Sequence, residues 1–232
     1  MSIYKKFTTL LLGLALTAPL GWANPTASPP PAANQVTAPV TLSEVISAVE
    51  QTYGTATSIR AEFVQVDRSK AMGTEVRQRG KIALERPRKM RVDMGFPVTH
   101  TYVSDGKTMS IYVAKDKQVT MMPELDGGAG MGVLLEDLGK LSELFNVTLL
   151  PEKPGKPSIT VQLVPKQPGA FKSLLLTLSK QKYVLQDLVL VNQLDDVTEM
   201  NFTAVRMNQD IPDAEFTFVA PPGVKVVKTG AM

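Results

Sequence analysis

The strongest constraint on this chain is a run of short alternating segments separated by turn dipeptides. IRAEFVQVD (59–67), EVRQRGKIALE (75–85), KMRVDM (89–94), THTYVS (99–104), KTMSIYV (107–113) and KQVTMM (117–122) each place apolar residues at every second position over part of their length. NVTLLP, SITVQLVP, FKSLLLTLSK, VLQDLVLVNQ, VTEMNFTAVRMN and EFTFVAP continue the pattern in the second half. A period of two puts one set of side chains on each face of a strand. Asp105-Gly106, Pro154-Gly155 and Pro168-Gly169 supply the backbone freedom of tight reversals. Eleven or twelve such strands joined mainly by hairpins predict an antiparallel sheet that must curl into a barrel or half-barrel.

Two helical signals interrupt this pattern. Thr41 and Glu44 have capping-box spacing, and Leu42, Val45, Ile46, Val49 and Tyr53 then fall on one face, which predicts an amphipathic helix of about twelve residues. In 127–145, glycines precede Val133, Leu134, Leu138, Leu141 and Leu144 at helical spacing, with Gly139 expected to separate two short helices. The fold class is therefore α+β: a strongly curved antiparallel sheet of about 11 strands with a lid of short α-helices.

The first residues read differently. Lys5 and Lys6, the apolar run Phe7 to Leu16, and small residues at Gly21 and Ala23 predict a cleaved secretory signal peptide over 1–23. The apolar stretch is shorter than the roughly 20 residues a membrane span needs. Residues 24–40 hold five prolines and no charge, the composition of an extended tether. The folded domain is expected over 41–227, with a tail at 228–232. Losing the leader lowers the net charge from +3 to +1, which argues against nucleic-acid binding by bulk charge.

Composition narrows the chemistry. With no Cys there is no disulfide framework, thiolate metal site, cysteine nucleophile or lipidated cysteine anchor. A Ser-His-Asp hydrolase would depend wholly on His100, which sits in a strand-like stretch without a marked serine. No enzyme activity, metal or cofactor is expected. Two features remain. Of the eleven methionines, Met90, Met94, Met109, Met121, Met122 and Met131 crowd the middle of the chain, and unbranched thioethers suit ligands of variable shape. Residues 77–91 carry a local charge of +6 against −5 over the rest of the leaderless chain. Arg77, Arg79, Lys81, Arg88, Lys89 and Arg91 thus form a candidate docking stripe for an acidic partner or anionic headgroups.

GKIALERPRKMRVDM, VSDGKTMSIYVAKDKQVT and FTFVAPPGVKVV, in this order from Phe63-Val64-Gln65 to Val227, resemble the periplasmic lipoprotein carrier (LolA) family. The resemblance implies a half-open barrel with a helical lid and an apolar cavity. It implies a carrier that takes acylated lipoproteins from an inner-membrane ABC-type release complex to an outer-membrane receptor. Arg86, in the E-R-P string, matches an arginine that in the family bonds lid backbone and gates the cavity. The cavity is expected to be lined by Phe63, Leu84, Met90, Val92, Met94, Met109, Ile111, Met121, Leu134, Leu138 and Leu141. Met90, Val92 and Met109-Ser110 stand where the family often has aromatic residues, which predicts a softer lining. Transient contact with a membrane surface is also expected. Alternatives are a carrier of another lipid, glycolipid or lipophilic precursor, and a lipoprotein-sensing signalling module. Known sensors of this fold add a C-terminal domain, whereas this chain ends soon after Val227; the membrane-anchored receptor of the same fold needs a lipidated cysteine.

Overall fold

In the computed structural model of the chain, residues 40–97, 99–123, 137–152, 155, 157–169 and 171–230 are described. The predicted leader, nearly all of the tether, Gly127–Gly130, Met131, Val133 and Leu134 lie outside them.

Helix α1 spans Leu42–Gly54. The Thr41 hydroxyl accepts from the Glu44 N–H, and the Glu44 carboxylate accepts from the Thr41 N–H at 2.8 Å, so the capping box forms as the spacing predicted. The negative charge at this N-terminus is held low in pKa by those bonds to Thr41. Val45, Val49 and Tyr53 are buried on one face.

Twelve strands follow among the described residues: β1 Ser58–Ser69, β2 Thr74–Glu85, β3 Lys89–Met94, β4 His100–Asp105, β5 Thr108–Val113, β6 Gln118–Pro123, β7 Phe145–Leu149, β8 Ser158–Pro165, β9 Phe171–Ser179, β10 Leu185–Asn192, β11 Val197–Met207 and β12 Lys225–Lys228. They form one curved sheet in the order β12-β6-β5-β4-β3-β2-β1-β11-β10-β9-β8-β7. Two antiparallel meanders, β1–β6 and β7–β11, are thus joined by the long-range pairing of β1 with β11. The sheet does not close, and β7 and β12 are its edges. At Asp105 the carboxylate accepts from the Lys107 and Thr108 N–H groups, both at 2.8 Å, and Gly106 takes φ +89°, so this dipeptide makes the hairpin its sequence predicted.

The expected strand at 215–221 is not one. Asp213–Phe216 is a single 3-10 turn within a segment that crosses the outer sheet face, where Ile211 and Phe216 bury against Ala83. The Phe218 ring lies 5.5 Å from that of Tyr112. The alternation of Phe216 and Phe218 therefore reflects packing on a sheet rather than membership of one. The last strand, β12, instead runs parallel to β6.

Candidate functional site

Register fixes which side chains share a face. Residues directly opposite in an antiparallel pair point the same way. One inner row runs Ala61, Ile82, Val92, Tyr102, Ile111 and Thr120 across β1 to β6. A second runs Ile59, Leu84, Met90, Ser104, Met109 and Met122, and a third Phe63, Gly80, Met94, His100, Val113 and Gln118. Gly80 is required here: a Cβ would lie 2.3 Å from Phe63 Cζ and 2.8 Å from the Asp93 carbonyl oxygen. The Phe63 ring fills that space and lies 6.2 Å from the Phe202 ring on the other flank of β1.

The inner face has two characters. Over β8 and β9 it is sealed: Ile159, Val161, Leu163, Leu174, Leu176 and Leu178 are at most 1% exposed. Val45, Val49 and Tyr53 of α1 close over this half and belong to the same core. The seal extends through Phe63, Ile82, Leu84, Val92 and Met94, all buried. Beyond β3 it weakens. Met90, at the Arg86 end of β3, and Tyr102, Met109, Ile111, Val113 and Met122 beyond it are only half-buried, leaving an apolar wall that the protein's own core does not fully cover.

The lid survives in its second part. A 3-10 turn, Asp137–Lys140, leads into the short helix α2, Leu141–Leu144, and both Leu138 and Leu141 are fully buried in the core. Gly139 does not separate the two pieces; it lies within the turn and lets the backbones touch, since a Cβ there would lie 2.9 Å from Gly54 Cα. The Glu50 carboxylate accepts from the Ser142 N–H and hydroxyl, both at 2.7 Å, and Lys166 Nζ donates to the Ser142 carbonyl at 2.6 Å. The lid pieces are thereby tied to α1 on one side and to the sheet on the other.

Arg86 stands in the turn after β2. Its Nη2 donates to the Tyr53 carbonyl at 2.9 Å, and its backbone N–H donates to the Thr57 carbonyl at 3.0 Å. A guanidinium at the C-terminal end of α1 satisfies a helix carbonyl and complements the negative end of the dipole. Tyr53 is held a second time: its hydroxyl accepts from the buried Leu185 N–H at 2.8 Å, and burial pushes its pKa up to about 12.

Of the expected lining residues, Phe63, Leu84, Met90, Val92, Met94, Met109 and Ile111 share the inner face, and Leu138 and Leu141 pack against it. Met121 does not. It pairs with Ser110 and faces outward, while Met122 opposes Met109. Leu134 lies outside the described residues. Val113 joins Met109 and Ile111 on this face, as alternation along β5 predicts, whereas Tyr102 and Met122 were not among the expected lining residues, although alternation within β4 marks Tyr102.

The basic stripe divides. Lys89 bonds Glu85 at 2.8 Å and Asp213 at 2.5 Å, which holds its pKa above the usual lysine range, Asp213 contributing most. Arg91 makes two bonds to Asp93, at 2.7 and 3.0 Å, and Lys81 lies 3.5 Å from Glu62. Lys89 and Arg91 clamp the crossing segment onto the sheet, since Arg91 also donates to the Glu215 carbonyl at 3.3 Å. Arg88 is exposed in the β2–β3 turn. Arg77 and Arg79 are exposed on the outer face of β2 and make no ion pair among the described residues. His100 sits at the margin of the inner wall, its ring 6.0 Å from that of Tyr102. No group of three His, Asp or Glu side chains among the described residues is placed to hold a metal ion.

The family model described as outer membrane lipoprotein carrier protein LolA matches residues 54–219. An outer-membrane lipoprotein carrier protein from Bordetella avium (strain 197N) is 27% identical over 173 residues, covering 74% of this chain and 81% of that protein. A protein of the same name from Legionella pneumophila (strain Corby) is 29% identical over 172 residues, covering 74% and 83%. Among solved structures, an uncharacterized conserved protein from Thermus thermophilus matches with a TM-score of 0.50 at 13% identity, covering 80% of this chain and 98% of that one, a likeness of fold alone.

Proposed function

The chain belongs to the outer membrane lipoprotein carrier (LolA) family, and from that premise we propose that it carries the acyl chains of lipoproteins across the periplasm on the inner face of its sheet. The observation that carries this reading is the half-buried wall of Met90, Tyr102, Met109, Ile111, Val113 and Met122 beside a sealed core. Removing an acyl chain from a bilayer costs about 0.8 kcal/mol per methylene, on the order of 10 kcal/mol for a long chain. A carrier must supply a dry surface of comparable area, and soft thioethers adapt that surface to chains of different length and saturation. Among the described residues no helix is long and apolar enough to cross a membrane, which accords with a shuttle. The leader at 1–23 delivers the chain to the periplasm and the tether at 24–40 gives reach. An inner-membrane ABC-type complex supplies the cargo and an outer-membrane receptor takes it.

Release is the second requirement. The bond from Arg86 to Tyr53 holds α1 against the sheet, and a charge-assisted hydrogen bond of this kind contributes about 1.5–3 kcal/mol. If cargo enters by lifting α1 and the lid, breaking that bond offsets part of the gain from burial and weakens retention. A Met90→Asp, Met109→Asp double variant is therefore expected to lose binding of a fluorescent acyl probe. Arg86→Leu is expected to load normally but to pass acylated cargo to its receptor about tenfold or more slowly. Unchanged probe affinity in the double variant would remove the inner wall as the cargo site. Unchanged loading and release in Arg86→Leu would remove the gate.

A further inference from the structure

The apolar side chains that the fold leaves in water gather at one end of it. Met72, Phe96, Leu194 and Val219 are 74%, 87%, 76% and 79% exposed, and no other large apolar side chain among the described residues reaches half exposure. Met72 is in the β1–β2 turn, Phe96 in the β3–β4 loop and Leu194 in the β10–β11 turn. Alternation of strand direction puts these three connections at the end remote from Arg86. Val219 reaches the same end, one residue past Phe218, whose ring contacts Tyr112 beside the β5–β6 turn.

Two arginines that make no ion pair among the described residues stand among them. Strand β2 runs past the end of β3, whose last paired residue is Met94 opposite Gly80, so Arg77 and Arg79 lie beyond the β2–β3 ladder and pair as strand residues only with β1. The Gly95 N–H donates to the Arg79 carbonyl at 2.7 Å, so Phe96 springs from beside this arginine. Single exposed apolar residues are ordinary on protein surfaces; their collection at one end, beside these two arginines, is not. Nor does it suit a protein partner, since an interface core needs contiguous apolar area, whereas these side chains stand on separate tips with charges between them. A headgroup layer accepts isolated side chains one by one and supplies phosphates to arginine.

We propose that this end of the sheet docks on an anionic lipid bilayer, Phe96 and Met72 entering the headgroup layer while Arg77 and Arg79 bind lipid phosphates. The inference rests on the carrier reading for its purpose, because it names the surface that meets the donor or acceptor membrane.

Flotation of the expressed chain with vesicles of phosphatidylethanolamine and phosphatidylglycerol, against vesicles of phosphatidylcholine alone, tests it. The chain is expected to prefer the anionic vesicles and to lose that preference in high salt. Arg77→Ser with Arg79→Ser is expected to weaken the anionic preference about 30-fold, from about fivefold per basic residue. Phe96→Ser with Met72→Ser is expected to weaken binding about tenfold or more. All four side chains are exposed, and acyl-probe binding should be unchanged throughout. No anionic preference in the parent chain, or full retention of it in the combined variant, overturns the docking surface. Loss of acyl-probe binding together with flotation in the variants would place these residues in the cargo site and overturn it too. A parent chain that floats with anionic vesicles but binds no acyl probe would leave the surface standing and refute the carrier reading instead.

Discussion

Tyr53 joins three parts of this molecule: α1, the β2–β3 turn and β10. Its ring is buried in the core, its carbonyl accepts from Arg86, and its hydroxyl accepts from the Leu185 N–H. Removing the hydroxyl leaves a buried donor without an acceptor, so Tyr53→Phe is expected to cost about 1–3 kcal/mol by urea denaturation. A pH dependence follows from the same burial. The folded pKa is raised from 10.0 to about 12, chiefly by desolvation. The neutral phenol thus contributes its stability fully below pH 10, and that contribution is lost as the pH rises through 12. The parent chain should lose more stability across this window than Tyr53→Phe; equal losses would mean that Tyr53 ionises without cost.

Elements are held to one another by turns as much as by ladders. The β1–β2 and β10–β11 turns meet through Lys70, whose Nζ bonds Asp195 at 2.9 Å and whose N–H bonds Asp196 at 2.9 Å. Lys172 also bonds Asp195. These two lysines, Lys172 first, bring the Asp195 pKa down from 3.8 to about 2. A lowered carboxylate pKa contributes stability above the unfolded value and loses it as the pH falls. Melting temperature should therefore drop between pH 4 and pH 2 more in the parent chain than in Asp195→Asn, with the difference vanishing in high salt because the site is exposed. A matching acid profile in the two proteins would show that the turns are joined by other means.

Across the whole molecule, the two meanders meet at the β1–β11 ladder, which Phe63 and Phe202 brace from either side. Both rings belong to the single large core that includes α1 and the lid. Deleting one large buried aromatic costs about 3–5 kcal/mol. Phe202→Ala is expected to destabilise the chain by that amount while preserving one unfolding transition by far-ultraviolet circular dichroism. Two separated transitions would mean that the meanders are independent units.

The sequence by itself determined strands β1 to β11, most of their buried faces, the cap of α1 and the Asp105-Gly106 turn. These follow from local geometry: side chains alternate along a strand, Thr41 reaches only three residues to Glu44, and an Asp folds back on nearby N–H groups. The same local rule placed Met90, Val92 and Met94 by pattern. It failed at Met121 and Met122, because both are apolar and the choice between them depends on how the 114–117 turn sets the β5–β6 register. It failed again at 215–221, where extended chain lying on a sheet alternates as a strand does. Only the tertiary structure decided that one part of the inner face is sealed while β4–β6 stays half-open, and that Met72, Phe96, Leu194 and Val219 share an end. Those are relations between residues far apart in the chain, set by which strands pair and not by what any segment prefers.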